Sequence, residues 1–264
     1  MREARSPDFI EAIARGFDVI RSFDGSPSQT LTEVSQGAGL ARPTARRVLI
    51  TLEELGYVHA DDGRFELTPR VLELGVSYYA GSDFWTAAVP RLRQLVEQTH
   101  ESCSIAQLDG SDIVYVARVA VPKLVTLSVA VGTRFPAPQT SLGKVLLASL
   151  EPAELDAVLA EPSRSGVDPT WQPTRAELDE VLAHVRENGW AVSDQQLAPA
   201  IRSVAAPIRR ADGSVFAAVN VNAHAGETTV AKLTDEHLPH LLRTAADLSV
   251  DYTLRERIPA AVTG

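Results

Sequence analysis

The chain has 264 residues, 45% hydrophobic and 22% charged, a globular composition with enough apolar side chains for one large or two ordinary domains. A net charge of −9 argues against non-specific nucleic-acid binding by the whole body, so any grip on DNA must come from a local basic patch. The lone cysteine, Cys103, excludes an intrachain disulfide; no run of 18 apolar residues marks a membrane span and no apolar stretch follows MREARSPDF, so a cytoplasmic chain is expected.

Residues 8–23 predict a first helix, with Phe9, Ile10, Ile13, Phe17 and Ile20 recurring at helical spacing. DGSPSQ breaks it. Thr30 opens a second helix, where Thr30-x-x-Glu33 forms a capping box, and Gly37 and Gly39 end it. GLARPTARRVLITLEELGYV, residues 39–58, predicts a third. Pro43 suits its first position, where a missing N–H costs nothing. Ala45, Val48, Leu49, Leu52 and Leu55 form its apolar stripe and Gly56 stops it. YVHADDGRFELT then reads as a hairpin turning at Asp62-Gly63.

Helix, helix–turn–helix and hairpin in that order predict a winged helix-turn-helix. Arg42, Arg46, Arg47, Ile50 and Thr51 fall opposite the stripe, near the end of the third helix that enters the major groove in this motif. Arginine there reaches guanine O6 and N7 in a fork or clamps phosphate. Arg64 lies at the hairpin tip. Against this, residues 1–80 hold nine Arg or Lys and twelve Asp or Glu, and exposed arginines are commonly only solvated. Yet 42–47 carries three arginines and no acid, while Glu53 and Glu54 sit at the far end. That separation suits docking by one end.

Two more helices are expected over 69–81 and 84–101. Leu72, Val76 and Tyr79 share one face of the first; Trp85, Val89, Leu92, Leu95 and Val96 share one face of the second. The latter suits either a dimer seam or packing within the chain. From Ser102 the texture turns to strands: SIAQL, DIVYVAR and VTLSV, then WAVSD, SVAAPIRR and VFAAVNVN, the last two joined at Asp212-Gly213. Helices are expected at SLGKVLLASL, from Glu151-Pro152, from Thr174 to Asn188-Gly189, and from Asp235 to Arg257, with Leu238, Leu241, Leu242, Ala245, Leu248 and Tyr252 buried. The pattern predicts an antiparallel sheet with helices packed on it.

These residues resemble the IclR-type bacterial transcription regulators over nearly the whole chain. The matching stretches are IARGFDVIRSF, LARPTARRVLITLEELGYV, RFELTPRVLELG, IVYVARV, VGTRFPAPQTSLGKVLLASL and NGWAVSDQQLAPAIRSVAAPIRRADGSVFAAVNV. ARRVLITLEELGYV and VGTRFP further resemble the branch controlling aromatic-acid degradation through the β-ketoadipate pathway. The resemblance implies an α+β chain: a winged helix-turn-helix DNA-binding domain at 1–68, a dimerising helical linker at 69–83, a GAF-like effector-binding domain with an antiparallel sheet at 84–258, and a flexible tail at 259–264. It implies a homodimer or dimer of dimers on a double-stranded operator, with a small organic acid altering DNA binding or the contact with RNA polymerase, and no cofactor or membrane partner.

On this reading Thr30, Arg42, Pro43, Thr44, Arg46, Arg47, Thr51 and Arg64 meet DNA. In the effector site Ser141 and Leu142 present backbone N–H groups at a helix N-terminus, a ready carboxylate site. Leu124, Leu127, Phe135 and Ile201 form apolar walls, and Ser193, Ser203, Asn220 and Asn222 orient the ligand. Asn220 and Asn222 share parity on one strand, and two inward amides are costly unless paired. Arg118, Arg134 and Arg202 are further carboxylate candidates. VPKL and PAPQT replace two basic residues and a tyrosine of the aromatic-acid branch, and Ser193 stands where many members carry an acid, so the effector stays open beyond a small carboxylate.

An enzyme is not expected. Cys103 and His100 are three apart, but nothing beside them supplies an orienter or oxyanion site, so a buried structural cysteine is expected. The six histidines show no metal-ligand spacing, and no phosphate loop occurs. The competing reading is a small-molecule sensor whose winged helix contacts protein.

Overall fold

A computed structural model describes residues 6–23, 26–80, 83–122 and 129–257. The chain divides into two compact units at residues 82/83. Residues 123–128, which hold Leu124, Leu127 and most of VTLSV, lie outside the described residues, as does the tail from 258.

The first unit runs α1 (Glu11–Arg21), β1 (Gln29–Thr30), α2 (Leu31–Gly37), α3 (Arg42–Glu54), β2 (Val58–Asp61), β3 (Arg64–Leu67), a 3-10 turn at Pro69–Val71 and α4 (Leu72–Ala80). Its core is Val19, Phe23, Val34, Leu49, Leu52 and Val58. The first helix starts later than its periodicity suggests, and its strongest stripe faces outward. Phe9, Ile10, Ile13 and Phe17 are 43–60% exposed, while Val19 is fully buried. Helical spacing identifies residues that share a face, not which of two apolar faces is covered.

The caps follow local chemistry. Thr30 Oγ1 accepts from the Glu33 N–H at 3.3 Å and the Glu33 carboxylate accepts from the Thr30 N–H at 2.6 Å, so the α2 capping box is complete. Pro43 takes the second position of α3, one later than expected, because Ala41 is the N-cap. Ala45, Leu49 and Leu52 of the stripe are buried; Leu55, the C-cap, is exposed. The hairpin turns where expected: Asp62 (φ 43°) and Gly63 (φ 74°) are both left-handed, as a type I′ two-residue loop requires. β1, unforeseen, adds a third strand in the order β1-β3-β2.

The second unit begins with α5 (Asp83–Thr99), followed by β4 (Ser102–Asp109), β5 (Asp112–Val119), β6 (Arg134–Pro136), α6 (Ser141–Ala148), α7 (Pro152–Ala160) and α8 (Arg175–Asn188). It continues through β7 (Ala191–Asp194), β8 (Ile201–Arg209), β9 (Val215–His224), α9 (Val230–Lys232), a π turn at Leu233–His237 and α10 (Leu238–Arg257). The sheet is antiparallel throughout, in the order β6-β5-β4-β9-β8-β7. α5 and α10 cover one face; α6 lies on the other, with α8 packed on α6. Trp85, Leu92 and Leu95 are buried within the unit. Phe84 stacks edge-on to Trp85 at 5.1 Å and to Phe216 at 5.5 Å, so this face of α5 packs on its own chain. The closing helical run begins at Val230 rather than Asp235, because Thr229 caps it by accepting from the Lys232 N–H at 3.1 Å. Leu238, Leu241, Ala245 and Leu248 are buried as expected; Leu242 is exposed.

α6 is nearly wholly buried and lies hard against the 3-10 turn Ala137–Gln139. Gly143 permits that approach: a Cβ there would stand 2.0 Å from the Ala137 carbonyl oxygen. Gly143→Ala is expected to lower unfolding free energy by about 1–3 kcal/mol, the usual cost of overpacking a rigid contact. A lower denaturant midpoint at unchanged slope is the readout.

Candidate DNA-reading surface and effector pocket

Arg42, Arg46 and Arg47 are exposed on α3, together with Pro43, Ile50 and Thr51; Thr44 is half-buried. Among the described residues, no hydrogen bond or ion pair occupies the guanidinium of any of the three arginines. The buried stripe of Ala45, Leu49 and Leu52 pins the opposite side of the helix, so these cations project from its N-terminal half into solvent. A cleft of about 750 Å³ separates α3 from α1, lined by Ile13, Phe17, Thr44, Arg47, Val48 and Thr51 among others. It is mostly apolar and open at the surface, with Arg15, Arg47 and Glu54 among its lining.

Two of the expected DNA contacts, Arg64 and Thr30, also make hydrogen bonds within the chain. Arg64 sits at the hairpin tip as expected and is half-exposed; its Nε donates to Ser28 Oγ at 2.9 Å, its Nη2 donates to the Ser28 carbonyl at 2.7 Å, and Glu33 stands 4.0 Å away. The reason is register. Arg64 pairs with Thr30 across β1–β3, which lays its side chain over the loop before α2. Thr30 Oγ1, in turn, donates to Glu33 at 2.9 Å as part of its cap.

In the second unit one sheet face is polar. Across the strands Arg118, Ser104, Asn220 and Ala205 stand in one row, and Ser102, Asn222, Ser203 and Ser193 in the next. Side chains directly opposite in an antiparallel sheet share a face. The N-terminus of α6 meets this face: Ser141 and Ser203 hydroxyls bond at 2.7 Å, and Thr140 Oγ1 accepts from the Gly143 N–H at 2.9 Å. Ser193 Oγ donates to the Gln139 carbonyl at 2.7 Å. Between them lies a constricted cavity of about 20 Å³.

Of the expected site residues, Phe135, Ser193, Ile201, Ser203, Asn220 and Asn222 line this cavity. Ser141 stands behind Ser203 rather than in the lining, and the Leu142 side chain points into the hydrophobic core. Tyr115, Val129, Gln139, Thr140 and Leu197 line it as well and were not anticipated. Gln139 and Thr140 belong to an irregular turn, where no periodicity marks direction. The cavity's polar chemistry is unspent. Gln139 Nε2 donates to the Trp171 carbonyl at 3.0 Å, but Gln139 Oε1, Asn220 Oδ1 and Asn222 Oδ1 are buried without a partner. Tyr115 is pushed up to about 12 by burial, so its hydroxyl keeps its proton.

The remaining candidates separate clearly. Arg134 pairs with Asp109 and lies 3.9 Å from Asp112; Arg202 donates to Asp194 at 2.7 Å and to the Thr228 carbonyl at 2.6 Å. Cys103 is fully buried, its thiol pushed up to about 12 by burial, while His100 is exposed. Among the described residues, no cluster of His, Cys, Asp and Glu could hold a metal, and no helix is long and apolar enough to cross a membrane.

A winged helix-turn-helix with exposed arginines on its third helix, followed by a separate sheet domain, is the arrangement of a DNA-binding transcriptional regulator. Residues 12–62 match the IclR helix-turn-helix domain and residues 76–250 match the domain described as bacterial transcriptional regulator IclR C-terminal. The chain belongs to the IclR family of bacterial transcriptional regulators. It is 38% identical to the Pca regulon regulatory protein of Pseudomonas putida, over 92% of this chain and 84% of that one. It is 32% identical to the p-hydroxybenzoate hydroxylase transcriptional activator of Acinetobacter baylyi, over 93% of each chain. A crystal structure from Rhodococcus sp. RHA1 is 44% identical with a TM-score of 0.79, covering 94% of this chain and all of that one.

Proposed function

We propose that α3 reads an operator of a catabolic operon, with Arg42, Arg46 and Arg47 contacting guanine edges or phosphate and Pro43, Thr44 and Thr51 fitting the groove beside them. Arg64 and Thr30 act indirectly, by holding the wing and α2 in place. The second unit binds a small carboxylate, with hydroxybenzoates the first class to test, since one relative is named for the hydroxylase of p-hydroxybenzoate. The N–H groups of Ser141 and Leu142 open a buried eight-residue helix, a favourable environment for negative charge.

The observation that carries the effector reading is the pair of asparagines. Asn220 is 2% exposed, and among the described residues neither its side chain nor that of Asn222 makes a hydrogen bond. A buried polar group left unpaired costs about 1–3 kcal/mol, which a hydrogen-bonding ligand recovers. Asn220→Leu is therefore expected to leave ligand-free melting unchanged or slightly raised, and DNA binding intact. The melting shift produced by the effector should largely disappear, since that shift scales with ligand concentration over Kd. An undiminished shift would remove Asn220 from the site.

Self-association completes the reading, because one α3 spans few base pairs and paired half-sites need paired helices. α4 supports it: Leu72, Leu74, Val76 and Tyr78 are all exposed, more apolar surface than a short solvated helix usually presents, with only Glu73 and Ser77 as a polar strip. Dimers or dimers of dimers in the cytoplasm, acting on RNA polymerase recruitment, fit this arrangement. Sedimentation velocity distinguishes monomer, dimer and tetramer directly.

A further inference from the structure

We propose that Arg118 is the group that receives the effector's carboxylate. This rests on the reading of the second unit as an acid-binding domain and adds the residue that recognises the acid.

The first observation is a β-bulge. β4 and β5 pair Ile105 with Ala117, and then Ala106 with Tyr115, so Val116 is the extra residue. Strict alternation would put Tyr115 and Arg118, three apart, on opposite faces. The bulge brings both to the face that carries Asn220, and re-aiming a side chain toward a site is a common use of bulges. Tyr115 and Asn220 both line the cavity, and Arg118 stands in the cross-strand row of Ser104 and Asn220, beside it on the same face.

The second observation is how the guanidinium is held. Its Nη1 donates to Ser104 Oγ at 2.9 Å, and Ser104 stands in register with Asn220. Its Nε is buried without a partner. The Nε and Nη2 edge is thereby left for a bidentate fork, the geometry that matches a carboxylate.

The third observation is charge. Arg134 and Arg202 are each paired with acids. Among the described residues no carboxylate pairs with Arg118, although burial strips water from it and lowers its hold on its proton. A half-buried cation fixed by a neutral serine is a site prepared for an anion that the chain itself does not supply.

The test uses the full chain and melting shifts with 4-hydroxybenzoate, 3,4-dihydroxybenzoate, benzoate and adipate, each beside its uncharged amide. At least one acid should stabilise the parent protein more than its amide does. Arg118→Met should reduce that acid's affinity roughly tenfold to a hundredfold, the worth of a hydrogen bond to a charged group, and erase the preference for acid over amide. Arg118→Lys should restore part of the preference, which a purely structural role would not predict. If Arg118→Met fails to fold, Arg118→Lys and Ser104→Ala carry the same comparison. The parent's full acid preference retained in Arg118→Met, or in Ser104→Ala where Arg118→Met does not fold, overturns the assignment of Arg118 while leaving the pocket in place. A parent protein stabilised by none of the acids overturns both readings.

Discussion

Replacing Arg46 and Arg47 together by alanine is expected to abolish specific operator binding while leaving the melting temperature unchanged. Both side chains are exposed and, among the described residues, free of partners, so their removal breaks no contact in the fold. Alanine is also at least as good a helix former as arginine. On DNA the loss is large. A bidentate arginine–guanine contact discriminates by about 1–3 kcal/mol, so two lost per reading helix weaken binding by roughly 10²–10⁴-fold. Where an arginine meets phosphate instead, the dependence of affinity on salt becomes shallower by about one unit of slope per contact. Titrating a fragment upstream of the gene, at several salt concentrations, beside random DNA of equal length, separates the two. A double variant that binds that fragment as tightly as the parent removes α3 from the DNA interface.

The second large effect concerns Lys144. This side chain is 2% exposed, donates to the Val192 carbonyl at 2.9 Å and to Gln196 Oε1, and stands 5.1 Å from the Trp171 ring. Burial pushes its ammonium down from 10.5 to about 8. The sign follows from proton counting. Below pH 8 folded and unfolded chains are both protonated, and the folded state bears the cost of a desolvated charge. Between 8 and 10.5 the unfolded chain keeps its proton while the folded chain releases it, so stability rises with pH. The shift corresponds to about 3 kcal/mol. Across that window the unfolding free energy of the parent is expected to climb by about this amount relative to Lys144→Met. Denaturant titrations over a pH series measure it; two curves that stay parallel sink the prediction. Comparison with the variant also cancels Cys103 and Tyr115, both pushed up to about 12, which lose stability for the fold as the unfolded chain ionises first.

The Lys144 cage bears on the pocket. The Trp171 N–H donates to the Gln196 carbonyl at 2.9 Å, and Gln139 Nε2 donates to the Trp171 carbonyl. Gln196 precedes Leu197, and both Leu197 and Gln139 line the cavity. Lys144→Met therefore also tests whether this strap positions Gln139 and Leu197 at the cavity.

Much was legible in the sequence because the information is local. A threonine three residues before a glutamate, placed after a break in the chain, caps a helix from local chemistry alone, and Thr30 and Thr174 both do so. Asp62-Gly63 accepts the two left-handed conformations that a tight hairpin demands. Parity along VFAAVNVN put Asn220 and Asn222 on one face without reference to any partner strand, and the three arginines ahead of an apolar stripe could face only outward. Tertiary structure decided what depends on the neighbour. Whether Ile13 and Phe17 or Val19 turned inward depended on where α3 packed. Whether Trp85 met a second copy or its own sheet depended on Phe216, more than a hundred residues away. Arg64 was drawn onto Ser28 by a two-residue strand too short to read in advance. Tyr115 and Arg118 reached the same face only because the partner strand is one residue shorter at the bulge. Spacing along one chain segment states which side chains travel together; only pairing and packing against distant segments state what they meet.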